Sequence, residues 1–170
     1  MKCNPDEQYH SRYFFDAGIR FECRRCGACC TGDPGIIRIS GPEIRLLADF
    51  LKMSAADLIR MHLRPVSSGF SIAEEADGTC RFYDQGCRIY PVRPLQCRTY
   101  PFWFSQMRSM LQWEKARCQC PGIGTGNLYS RARILDMLSQ SMDDLEPMEK
   151  QSLNRDLVEK IPFGIKNRIN

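Results

Sequence analysis

The chain has 170 residues, of which 43% are hydrophobic and 26% charged. That is enough for one packed domain that does not depend on covalent staples. No apolar run approaches the ~18 residues of a membrane span, and Asn4, Pro5, Asp6, Glu7 and Gln8 stand where a secretory leader would need its apolar stretch. The expectation is a cytoplasmic protein without membrane association, whose ten cysteines are kept reduced rather than oxidised in pairs.

In chain order, residues 1–20 show no clean periodicity and are read as an irregular arm. The sequence GIIRI, residues 35–39, reads as a short strand. Ser40-Gly41-Pro42-Glu43 matches a capping box with proline in the first helical turn. Ile44, Leu47, Ala48 and Leu51 then follow the i, i+3, i+4, i+7 spacing of a helix ending near Lys52. Ser54 offers a second N-cap, and the helix through Leu58, Ile59, Met61 and His62 must stop before Pro65. Residues 68–74 alternate like a strand, and Asp77-Gly78 marks a turn. CRFY and CRIY, joined by Asp84-Gln85-Gly86, read as two extended pieces of a tight hairpin. Pro91 and Pro94 bracket an irregular turn into Cys97. QWEKARC, residues 112–118, is read as a returning strand. Leu128, Ala132, Leu135, Met137 and Leu138 suggest an amphipathic helix, and Pro147 opens another through Leu153, Leu157 and Val158. The predicted fold is therefore small α+β. An arm (1–20) precedes a cysteine-rich core (21–126) with an inserted αα-hairpin, and a cysteine-free helical appendage follows (127–170).

The chemistry lies in the cysteines. FECRRCGACC, residues 21–30, has the spacing Cys23-x2-Cys26-x2-Cys29-Cys30, followed by Cys80-x6-Cys87, Cys97, Cys118 and Cys120. Two-residue gaps let sulfurs approach one ion from a tight turn, and Gly27 supplies the backbone freedom for it. The vicinal pair Cys29 and Cys30 makes a strained disulfide but suits a shared ion. Arginine adjoins cysteine at Arg24, Arg81, Arg88, Arg98 and Arg117, where a cation favours the metal-binding thiolate. The net charge of +4 is then a counter-charge, since two tetrathiolate sites with divalent ions would carry about −2 each. A nucleic-acid surface is not expected.

The residues FECRRCGACC (21–30), CRFYDQGCRIYPVRPLQCRTYPF (80–102) and CPGIGTG (120–126) together resemble the YkgJ-like cysteine-cluster family, described as a zinc- or iron-chelating domain with a CxxCxxCC core. Carried over by position, the resemblance implies Cys23, Cys26, Cys29, Cys30, Cys80, Cys87, Cys97 and Cys120 as metal ligands. Cys3 and Cys118 lie outside the pattern, although Cys118 could replace Cys120. Eight thiolates fit two tetrahedral zinc ions or an iron–sulfur cluster of the 4Fe-4S type with further thiols. Cys-x2-Cys-x2-Cys and Cys120-Pro121 match parts of the ferredoxin pattern. Family members are often labelled iron–sulfur, and flagellin lysine methylases share a related segment. Three functions follow: a cluster protein with a structural or electron-transfer role, an iron–sulfur enzyme for redox or methyl transfer, or a zinc-stabilised module whose tail helices bind a protein partner.

The remaining candidates read more simply. His62 near a helix C-terminus suits the helix dipole, and no second histidine besides His10 is available for a metal motif. Gly122, Gly124 and Gly126 lack the glycine at 127 that a dinucleotide loop needs. Tyr100, Phe102, Trp103 and Phe104 are read as core with the metal centre packed beside them. Arg93 and Arg98 are candidates to hydrogen-bond carbonyls around the site.

Overall fold

The structure, a computed structural model, describes residues 13–143 apart from 32–34 and 68. The expected helix from Pro147, together with Cys3 and His10, lies outside the described residues. The fold is α+β and gathers around two separate apolar clusters.

The first cluster is built by the αα-hairpin and a small sheet. Helix α1 (Gly41–Leu51) begins at the expected capping box, where Ser40 N–H donates to Glu43 Oε2 at 2.9 Å. It ends as Lys52 turns left-handed at φ 55°. Ile44, Leu47 and Ala48 face inward. Helix α2 (Ala55–His62) starts with Ser54 Oγ accepting Asp57 N–H at 3.0 Å and buries Leu58. Pro65 keeps the chain extended beyond it, in strand β3 (Leu63–Val66). This strand pairs with β4 (Gly69–Ile72), which pairs in turn with β2 (Arg38–Ile39), giving the antiparallel order β2-β4-β3. Ile39, Ile72, Phe82 and Ile89 complete this cluster, with Cys80 and Cys87 at its edge.

The second cluster is aromatic. Strand β1 (Ile19–Phe21) pairs antiparallel with β5 (Asn127–Tyr129), so residues 19 and 20 leave the expected arm. Between them run the short helices α3 (Leu95–Thr99) and α4 (Phe104–Met107), then α5 (Met110–Gln119). Helix α6 (Arg131–Asp143) follows β5. Phe102 is fully buried, set edge-on to Phe21 at 5.8 Å and stacked on Trp113 at 6.1 Å. Ile134 and Met137 of α6 are buried in this same cluster, beside Cys120.

Several expectations are corrected. Residues 112–118 are helical, not a strand: Ser109 caps the segment, and Trp113 and Ala116, three apart, bury one face of it. CRFY and CRIY form no paired strands. Only isolated bridges join Glu74 to Cys80 and Tyr83 to Cys87, because the chain turns tightly through Tyr83 N–H to Cys80 O (2.8 Å) and Asp84 N–H to Gly86 O (2.9 Å). Leu128 belongs to β5 rather than to the following helix, and it is exposed.

Candidate metal centre

The two clusters do not merge along their common boundary. A cavity of about 160 Å³ opens there, and its wall contains eight cysteines: Cys23, Cys26, Cys29, Cys30, Cys80, Cys87, Cys97 and Cys120. Ile72 and Ile89 close it from the first cluster, and Phe21 and Tyr100 from the second. Cys118 is not on this wall; it sits exposed in the last turn of α5. All nine described cysteines are free thiols.

Each cysteine group is held by backbone chemistry that its own sequence provides. The 23–30 loop turns through Arg25 at φ 54° and Gly27 at φ 81°, and closes as Cys30 N–H donates to Gly27 O at 2.7 Å. Gly27 lies against the ring of Tyr83, and a Cβ there would overlap that ring. Gly27→Ala is expected to cost about 1–3 kcal/mol from left-handed strain and overpacking and to lower metal retention, checked by thermal melting and metal analysis. An unchanged melting temperature and metal content would contradict this.

Cys30 O accepts Cys80 N–H at 2.8 Å, tying the first loop to the second. Around 80–90 and 120–123, backbone N–H groups two or three residues on point back at sulfur: Phe82 to Cys80, Ile89 to Cys87, and Gly122 and Ile123 to Cys120. Such donors favour thiolate over thiol, which is what a metal ligand requires. The loop after Cys120 is drawn against β1 by Glu22 N–H to Gly122 O at 3.1 Å. A Cβ at Gly122 would meet the carbonyl of Glu22, so the approach depends on glycine there.

The turn bracketed by Pro91 and Pro94 leads directly into a helix, so Cys97 lies on α3. That helix is latched to the first cluster by Gln96, which motif reading did not single out, and by Glu43. Gln96 Oε1 accepts Arg38 N–H at 2.9 Å, and its Nε2 donates to Ile36 O at 2.8 Å. Glu43 Oε1 accepts Leu95 N–H at 2.7 Å. Glu43 was legible as a helix cap, but its second role depends on a contact 52 residues away.

The electrostatics are uneven. Cys29 and Cys30 place their Sγ atoms 3.8 Å apart. The hydrogen bond from Cys30 brings the Cys29 thiol down to about 7, while the same contact and burial push Cys30 up. Burial also raises Cys80, Cys87, Cys97 and Cys120. A metal entering here must therefore displace protons, so its hold strengthens as pH rises.

Other expectations divide. Tyr100 and Trp103 line the cavity, whereas Phe102 is buried core. Arg93 Nε donates to Tyr90 O at 3.1 Å, as expected of a residue serving nearby carbonyls, but Arg98 instead faces Glu43 at 3.8 Å. His62 does end α2, but it stacks on Phe82 at 5.0 Å and is absent from the cavity wall. Burial, with Arg81 and Arg88 nearby, disfavours its charged form, so the dipole does not dominate there.

Comparison with known proteins meets this geometry directly. The profile of the CxxCxxCC family, described as "Putative zinc- or iron-chelating domain", matches residues 22–120. The chain belongs to the CxxCxxCC family. The matched span begins one residue before Cys23 and ends on Cys120, so it contains all eight cysteines of the wall. A protein of Methanocaldococcus jannaschii, named only as an uncharacterized protein, is 30% identical over 88 residues. The match covers 50% of this chain and 46% of that protein, so the chain spans about half the length of the curated relative it matches. No solved structure matches. As a member of the CxxCxxCC family, the chain is a metal-binding protein that uses its cysteines. Among the described residues no helix is long and apolar enough to cross a membrane.

Proposed function

We propose that four of the eight thiols hold an iron–sulfur cluster that pins the two apolar clusters together and carries electrons. One observation carries this reading: cysteines from four separate stretches (23–30, 80–87, 97 and 120) converge on one cavity at the boundary of two cores. Thiolate sulfur selects zinc or iron over hard cations such as magnesium. A tetrahedral zinc with bonds of about 2.3 Å sets its sulfurs about 3.8 Å apart. Eight thiols on one cavity wall offer twice the donors that a single tetrahedral ion uses, and a cysteine-held iron–sulfur cluster would supply electron transfer there. Cys29, with its lowered pKa, is the first thiolate available at neutral pH. Reduced thiols and this cofactor both suit a reducing compartment such as the cytoplasm.

Zinc is the second reading, because the Cys29–Cys30 separation of 3.8 Å equals one edge of a zinc tetrathiolate. Anaerobic purification with iron, sulfide and zinc analysis separates the two. Iron with about equal acid-labile sulfide and a broad visible band supports the cluster. Colourless protein carrying zinc alone would replace it with the second reading, and reduced, folded protein free of both metals would end the proposal.

A further inference from the structure

The rim of the cysteine cavity carries three arginines, Arg24, Arg25 and Arg93. Two of them converge on one ring: the guanidinium carbon of Arg93 lies 3.7 Å from the centroid of Tyr90, and that of Arg25 lies 4.1 Å from it. Stacking of this kind is attractive, because each guanidinium meets the negative face of the ring. It leaves the guanidinium edges, with their fork of N–H donors, free to bind something else. Arg93 spends one donor, Nε, on Tyr90 O at 3.1 Å, which fixes the plane of the group.

Neighbouring arginines behave differently. Arg24 pairs with Glu22 at 3.5 Å, Arg81 with Glu75 at 3.1 Å and Arg64 with Glu74 at 3.9 Å. Among the described residues no carboxylate lies within ion-pair distance of Arg25 or Arg93. Arg93 favours the thiolates of Cys29, Cys87 and Cys97 on the cavity wall, and two like charges gathered at one ring still attract a further anion. Arg25 also holds a left-handed backbone, φ 54°, a conformation unfavourable for a non-glycine residue. The loop bears that cost in the conformation that presents this side chain at the cavity.

We infer that Arg25 and Arg93, stacked on Tyr90, form a binding site for a small oxyanion at the mouth of the cysteine cavity. The shared ligand chemistry is a carboxylate or phosphate group, which a guanidinium fork meets with two parallel hydrogen bonds. The apolar wall provided by Tyr100 and Trp103 can hold the body of an organic ligand. The inference rests on the proposed metal centre only in that the anion would lie beside it, where a substrate or a partner's acidic group would reach the cluster.

The test uses the metal-loaded full chain titrated calorimetrically with succinate and, separately, inorganic phosphate, with metal content measured for every variant. Native protein is expected to bind one of the two, and which one identifies the ligand class. Arg25→Gln and Arg93→Gln are each expected to weaken binding at least tenfold with metal content unchanged. Tyr90→Phe should keep the platform, and Arg60→Gln, at a distant exposed pair with Asp57, should change nothing. Failure of the native protein to bind either anion at millimolar concentration would overturn the site. So would loss of metal in both arginine variants, which would make these residues counter-charges to the thiolates. Preparations without metal would instead count against the metal centre and leave the arginine site to be read from the same titration.

Discussion

Cys97→Ser is expected to lose the metal centre, whereas Cys118→Ser is expected to keep it. The two residues are chemically alike and only 21 positions apart, but Cys97 is on the cavity wall and Cys118 is exposed on the outside of α5. Burial raises the Cys97 thiol, so in the absence of metal the side chain is neutral and contributes little. With metal bound it supplies one thiolate that a serine hydroxyl does not replace. Structural metal sites with four such ligands release about 10–16 kcal/mol. One ligand then accounts for about 3 kcal/mol, or a loss of affinity of about a hundredfold. The measurement is metal per folded chain after desalting, with circular dichroism on the same sample. Full occupancy in Cys97→Ser, or loss in Cys118→Ser, would show that the ligand set is wrong.

Removing the metal should loosen the boundary between the clusters before it melts either one. Each cluster buries its own apolar set. Polar ties across the boundary include the Gln96 and Glu43 contacts and the bond from Cys80 N–H to Cys30 O. A ligand held at about a thousand times its dissociation constant stabilises the folded state by about 4 kcal/mol. For a domain of this size, that corresponds to a fall in melting temperature of about 8–16 °C on removal. Hydrogen exchange should speed up first at residues 22–30, 80–90 and 95–99, while the amides of α1 stay protected. A stripped protein with the same melting temperature and the same protection pattern would show that the thiols do not join the two halves.

Much of this molecule is legible in one dimension because its causes are local. The capping box at Ser40 and Glu43 names the start of α1, and Pro65 places the end of α2. The segment 112–118 has no strong apolar periodicity, so its sequence does not choose between helix and strand. Burial of Trp113 in the cluster of Phe102 and Ile134, with Ala116 buried on the same face, decides for the helix. The hairpin expected at 80–90 failed for the opposite reason: its alternation is real, but tight turns around Cys80 and Cys87 leave no length for a ladder. The stacking of Arg25 and Arg93 on Tyr90 left no signal in the sequence: each lies in a cysteine motif, but they are 68 residues apart and no local pattern brings them to one ring.

By itself, the sequence determined the chemistry: soft sulfur donors at turn-compatible spacing, a family, and the two helices of the hairpin between the first cysteine groups. Those follow from residue types and near neighbours. Only the tertiary structure decided which thiols share a space, that Cys120 and not Cys118 faces it, and that the space lies between two hydrophobic clusters. Convergence of this kind depends on how side chains from distant stretches exclude water together, and no local pattern encodes that.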